Sequence, residues 1–229
     1  VKKIIIAALA LIALSGCSEQ VEYSASITDN IKKISPLELW TESKEKSVVD
    51  GITYYGDTLI VNKEIALPED YAPGENAAAR KALNQLIAAG EEQGLHFAIR
   101  SGYRSYDEQN VLYSNYVARD GKAAADKYSA EPGHSEHQTG LAYDLGSVES
   151  VKDFTISFGD TPEGKWLQTH AQEYGFIIRY PEGKTHVTGY QYEPWHIRYL
   201  GRALAQDVYH SKLTLEEYFG MYNPAESQS

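Results

Sequence analysis

The chain has 229 residues, with 32 acidic and 21 basic side chains, a formal net charge of −11, 42% hydrophobic residues and 23% charged ones. That composition is globular rather than disordered, and its acidic balance excludes a general nucleic-acid binder, which needs a basic face against phosphates. The single cysteine excludes an intramolecular disulfide framework and a Cys-rich zinc site, so any metal must be held by His, Asp and Glu.

Lys2-Lys3 precede an unbroken apolar run from Ile4 to Leu14. The run is too short to span a bilayer and fits a signal-peptide core. Leu14-Ser15-Gly16-Cys17 resembles a bacterial lipobox, in which the cysteine is lipidated and becomes the new N-terminus. The expected organisation is a lipoprotein signal peptide over 1–16, lipidated Cys17 with a polar tether over 17–47, and a folded body over 48–229. The tether holds a possible short helix near Pro36 to Trp40. The body is then extracytoplasmic and anchored to the cell membrane through Cys17. Losing two lysines and no acids makes it more acidic still. Ser43 and Lys46 match S-x-x-K, but they fall in the tether and no S-D-N or K-T-G follows.

In the body, Ile52 to Tyr55 and Thr58 to Val61 are β-rich runs split by Gly56-Asp57, a hairpin signal. Residues 75–92 carry Ala79, Leu83, Leu86 and Ile87 at helical spacing, closed by Gly94. Leu95 to Arg100 reads as a strand. Ser105 and Glu108 form a capping box that opens a helix to about Val117. Lys122 to Tyr128 is a second short helix, and residues 140–145 form a strand. Thr161-Pro162 starts a helix that ends near Gly175. Phe176 to Tyr180 and Gln191 to Tyr199 are strands, and Thr214 to Glu217 opens a last short helix. Strands do not alternate with long helices, so the fold class is α+β with a small antiparallel sheet flanked by helices. No internal repeat points to a solenoid.

Three clusters carry chemistry. In the strand at 140–145, period two puts Gly140, Ala142 and Asp144 on one face and Leu141, Tyr143 and Leu145 on the other. The small residues leave room around Asp144, and His137 lies in the turn before it. Alone, this segment equally fits a structural aspartate beside a surface histidine. The second cluster, Glu193-Pro194-Trp195-His196, offers a carboxylate and an imidazole close together, or else an edge strand with a packed tryptophan. His137, Asp144 and His196 make a zinc set of two nitrogens and one carboxylate, with a fourth position for water. Glu193 is then left to take that water's proton. H-E-x-x-H is absent, so no thermolysin-like helix supplies the ligands. In the third cluster, Ser101-Gly102-Tyr103-Arg104-Ser105, the Arg104 fork suits a substrate carboxylate and Gln109 adds an amide donor. A surface arginine paired with Asp107 or Glu108 is the plain alternative. Gly133-x-Ser135 lacks the last glycine of the hydrolase elbow, so Ser135 is not read as a nucleophile. His134, His170, His186 and His210 are not expected to be ligands, though His134 could line the site and His186 its rim. Some of the 18 tyrosines are expected to line a substrate groove.

In this order, the clusters resemble the VanY-type zinc D-alanyl-D-alanine carboxypeptidases and the related L,D-carboxypeptidases of bacterial cell walls. The resemblance rests on Ser101-Gly102-Tyr103-Arg104-Ser105, Ser135-x-His137-x-x-Gly140-x-Ala142-x-Asp144 and Glu193-Pro194-Trp195-His196. Gly164-Lys165-Trp166 and Tyr174 to Pro181 also match, and the similarity spans roughly 48–220. It implies a Hedgehog/DD-peptidase-like fold, zinc on His137, Asp144 and His196, and Glu193 as base. It also implies that Arg104, Gln109 and Ser135 hold the terminal carboxylate or the scissile carbonyl of a peptidoglycan stem peptide. The protein is expected to act as a monomer on that substrate. D,D against L,D specificity stays open, with Gly133 to Gly140 leaning toward the L,D group. The alternatives are a zinc endopeptidase cutting wall cross-links and a non-catalytic wall-binding lipoprotein.

Overall fold

The computed structural model describes residues 44–149 and 154–222. The expected signal peptide, Cys17 and nearly all of the tether lie outside the described residues. The order of elements is β1 (Lys46–Val49), β2 (Ile52–Tyr55), β3 (Thr58–Leu59), α1 (Ala77–Glu91), β4 (Phe97–Ser101), α2 (Tyr106–Asp120), α3 (Lys122–Ala125), β5 (Ala142–Ser147), α4 (Pro162–His170), β6 (Phe176–Tyr180), α5 (Thr185–Thr188), β7 (Glu193–Tyr199), α6 (Arg202–Ser211) and α7 (Leu215–Tyr218). Two antiparallel sheets result, β1-β2-β3 and β4-β5-β7-β6. The fold is α+β, as the sequence predicts.

The four-stranded sheet sorts its residues by period two. Tyr143, Leu145, Phe176, Trp195 and Ile197 turn toward α1 and α4 and join the main core with Leu83, Leu86, Trp166 and Leu167. Asp144, His196 and Arg198 alternate with these core residues along β5 and β7 and are themselves buried. The apolar face fixes the register, because a slip of one residue would drive charges into the core. A second core joins Ile60 and Ile177 to Leu204, Val208 and Leu215.

The helix starts follow their caps. Asn76 Oδ1 accepts from the backbone N–H groups of Ala78 and Ala79, and Thr161 Oγ1 accepts from Gly164 N with Pro162 at the first helical position. Ser105 and Glu108 form the reciprocal capping box of α2. Several elements and boundaries differ from expectation, and the short α5 was not expected. β1 is a wholly exposed edge strand with no apolar alternation to reveal it. It joins β2 through Asp50-Gly51, both at positive φ, as a two-residue hairpin turn requires. The 140–145 strand begins instead at Ala142, because residues 136–139 form a 3₁₀ turn closed by Gly140 at φ 70°. α4 stops at His170 and the chain reaches Gly175 through another 3₁₀ turn. α6 follows Gly201, with its Leu204, Ala205 and Val208 stripe too short to stand out.

Candidate metal centre

Asp144 and His196 are direct cross-strand partners in the β5–β7 ladder, and Ser101 of β4 pairs with Asp144 from the other side. His137 arrives from the 3₁₀ turn just before β5. Gly140 sets that turn: a Cβ there would sit 2.1 Å from the Gly74 carbonyl oxygen. The buried Gln138 amide pins the turn by donating to the carbonyls of Pro68 (2.9 Å) and Tyr71 (3.0 Å). His137, Asp144 and His196 thus converge, with one donor atom from each lying within 4.8 Å of the others. Among the described residues they are the group that could hold a metal ion.

Hydrogen bonding assigns each ring nitrogen. His137 Nδ1 lies 2.7 Å from the Gly102 carbonyl, so it carries the hydrogen and Nε2 faces Asp144 Oδ2 at 3.1 Å. His196 Nε2 lies 3.3 Å from Glu136 Oε2, and Nδ1 faces Asp144 Oδ1 at 3.0 Å. With both rings neutral, two lone pairs point at one carboxylate, which calls for positive charge among the three groups. Without a metal, a proton supplies it. Burial opposes the charge on His196, but bonds to Asp144 and Glu136 outweigh burial and raise its pKa to about 9. Burial holds His137 below its ordinary value despite Asp144. The donor set also fits zinc: two imidazoles and a carboxylate, each ring oriented by a partner on its far nitrogen.

Glu193 opens β7, three residues before His196, and in a regular strand the two would point to opposite faces. Here β7 advances from Ile197 to Glu193 while β6 advances only from Ile178 to Tyr180. Pro194 has no N–H for the ladder, and this irregularity lets Glu193 and His196 line one cleft. Burial pushes the Glu193 carboxyl up to about 8, opposed by the charges of His196 and Lys63. No hydrogen bond to its carboxylate comes from the described residues.

The cleft has a volume of about 480 Å³ and is lined by Arg104, Gln109 and Ser135 as well as the ligands and Glu193. Arg104 sits beside the ligands because its backbone N–H donates to the His137 carbonyl. Its guanidinium donates to Gln109 Oε1 and Ser101 Oγ, both at 2.7 Å. Gln109 is buried and its amide nitrogen donates to the Ala130 carbonyl at 2.7 Å, so it holds the arginine from behind. Ser135 is buried in the wall. Tyr116, Tyr128, Tyr180 and Tyr190 also line the cleft. Among the other histidines, His134 Nδ1 meets the Asn62 carbonyl at 2.7 Å and His170 stacks on Trp166.

The sequence reading missed Glu136. Its Oε1 accepts from Arg179 Nε (2.7 Å) and Arg198 Nη1 (2.8 Å), while Oε2 faces His196. Arg179 in turn pairs with both oxygens of Glu216. Burial alone would raise the Glu136 carboxyl, but the two guanidiniums and His196 hold it well below the usual carboxylate range. The visible signals were a carboxylate directly before His137 and an arginine within each of the runs Phe176–Tyr180 and Glu193–Tyr199.

The family described as VanY, D-alanyl-D-alanine carboxypeptidase, matches residues 74–202. The chain belongs to the VanY family. A D-alanyl-D-alanine carboxypeptidase of Enterococcus faecium is 37% identical over 77% of this chain and 49% of its own length. The curated VanY-family relatives first matched are covered over 49% to 66% of their lengths, so the chain spans about half to two thirds of each. The crystal structure of an L,D-carboxypeptidase, DacB from Streptococcus pneumoniae, is 43% identical with a TM-score of 0.70, covering 78% of this chain and 96% of that one. A vancomycin-resistance D,D-pentapeptidase VanY mutant, solved in complex with Zn(II), is 34% identical with a TM-score of 0.61 over 69% of this chain and 96% of that one. Together with the two antiparallel sheets, these likenesses bear out the expected Hedgehog/DD-peptidase-like fold.

Proposed function

We propose that this VanY-family chain is a zinc carboxypeptidase that removes the C-terminal D-alanine from peptidoglycan stem peptides. The observation that carries the reading is one cleft holding the His137–Asp144–His196 set, the free Glu193 carboxylate and the Arg104 guanidinium. An exopeptidase must recognise a free carboxylate, and Arg104 offers a fork held by Gln109 and Ser101. His137, Asp144 and His196 would hold a zinc ion, which would supply Lewis-acid polarisation and a more acidic water. Burial keeps the proton on Glu193 in the metal-free cleft, and a cation on the three ligands would favour its ionised form. That carboxylate would accept the proton as a water oxygen bonds to the scissile carbonyl carbon, then return it to the amine as the C–N bond breaks. Arg104 fixes the terminal carboxylate so that the scissile bond, one residue in, meets Glu193.

The higher identity to L,D-carboxypeptidase structures than to the D,D-enzymes supports tetrapeptide over pentapeptide stems as substrate. Mass spectrometry after incubation with each muropeptide tests this. Loss of one alanine from the tetrapeptide alone is the expected result; loss from the pentapeptide alone makes the enzyme a D,D-carboxypeptidase. Lipidation at Cys17 would hold the enzyme, as a monomer, outside the cell membrane, supported by the apolar run and the lipobox-like residues before it. Cys17→Ser should then move the protein from the membrane fraction to the soluble one.

A further inference from the structure

We infer that Glu136 is a positioning residue for the metal centre, orienting His196 from behind. The inference rests on the reading of His137, Asp144 and His196 as metal ligands, and it adds a fourth residue that acts through His196.

The geometry is specific to this carboxylate. Glu136 precedes ligand His137 directly, in the same 3₁₀ turn, yet its side chain reaches the other histidine. Its Oε1 is engaged twice, by Arg179 of β6 and Arg198 of β7. Those two bonds fix the plane of the carboxylate and leave Oε2 facing His196 Nε2 at 3.3 Å. An imidazole that donates from Nε2 presents its Nδ1 lone pair, and here Nδ1 is the nitrogen that faces Asp144. Arg198 is itself tied to the Leu59 carbonyl at 2.7 Å, and Arg179 is gripped by Glu216 from α7. All four charged side chains are buried. A carboxylate buttressed this way cannot swing toward solvent, so it holds the ring rather than following it. Partners on the far nitrogen of a ligating histidine govern how well the ligand is presented to the metal.

Glu216 supplies the internal control. It belongs to the same buried network and is bonded to the same Arg179, but no contact with a ligand is made through it. A purely structural role for the network predicts that Glu136→Gln and Glu216→Gln behave alike. The test uses the full chain and measures zinc affinity by competition with a chromophoric chelator, together with the visible spectrum of the cobalt(II)-substituted protein. Glu136→Gln should weaken zinc affinity about 10- to 100-fold and shift the cobalt spectrum. Glu216→Gln should leave both near wild type, even where it lowers the melting temperature. Equal zinc affinity in wild type and Glu136→Gln, or equal losses in the two variants, overturns the positioning role. A wild-type chain that binds no zinc overturns the metal-site reading itself, and the inference with it.

Discussion

At the scale of single residues, the cleft divides its tasks among groups whose environments differ. In the proposed mechanism Glu193 is the base; it is buried and has no hydrogen-bond partner among the described residues. Glu193→Ala should keep about one zinc per chain while turnover falls about 100- to 10,000-fold; full turnover in that variant would remove Glu193 from the mechanism. Arg104→Ala should raise KM for a free-carboxylate substrate about 10- to 100-fold, the worth of a charge-assisted pair. Steady-state kinetics at several substrate concentrations separates that from a loss in kcat. The histidines give a pH dependence with a definite sign. His196 holds a proton up to about pH 9 in the metal-free site, and zinc takes only the neutral ring. Zinc binding at pH 7 should therefore release protons, and apparent affinity should rise with pH. Calorimetry in buffers of different ionisation enthalpy measures the release, and zero release would contradict the assignment. His137, Asp144, His196, Glu193 and Arg104 were all legible in the sequence, because His137, Asp144 and Arg104 stood near glycines and small residues and Glu193 and His196 stood together among aromatics. Glu136 was not, because its partners lie on β6 and β7, far away in the chain and close only after folding.

At the scale of elements, short irregularities aim the side chains. Gly140 closes the turn that carries His137, and the β6–β7 register shift at Pro194 brings Glu193 round to His196. Gly140→Ala should destabilise the fold and weaken zinc binding together, since its φ is positive and its Cβ position is taken by Gly74. Denaturant unfolding and metal titration of the same variant check the pair of effects. The buried charges behave differently from the caps. Arg179→Ala leaves buried Glu216 without its guanidinium partner and Glu136 with Arg198 alone, at a cost of about 3–5 kcal/mol. Ser105→Ala removes only a cap, worth about 1 kcal/mol. Capped helices and apolar-alternating strands were readable in advance. β1 was not, being exposed along its length, and the start of β5 was misplaced because the sequence does not distinguish a left-handed glycine from one in a strand.

At the scale of the whole molecule, the acidic chain places local positive charge where its substrate needs it. The net charge of −11 gives no general attraction for an anionic peptide or polymer; in the proposed function the Arg104 fork and a cation on the three ligands would provide it at the cleft. The lone cysteine, which at first only excluded thiol ligation, leaves His, Asp and Glu as the metal donors, and the fold gathers those types. A metal bound to the folded state alone also stabilises it: roughly 2.7 kcal/mol when free zinc is a hundredfold above its Kd. The most direct test of the account pairs a stem tetrapeptide bearing a free C-terminal carboxylate with its C-terminal amide, each incubated with zinc-loaded and chelator-stripped enzyme and followed by mass spectrometry. The account predicts release of one D-alanine from the free acid by the zinc-loaded enzyme, and little or none in the other three reactions. Equal cleavage of acid and amide, or cleavage that survives complete zinc removal, would contradict it.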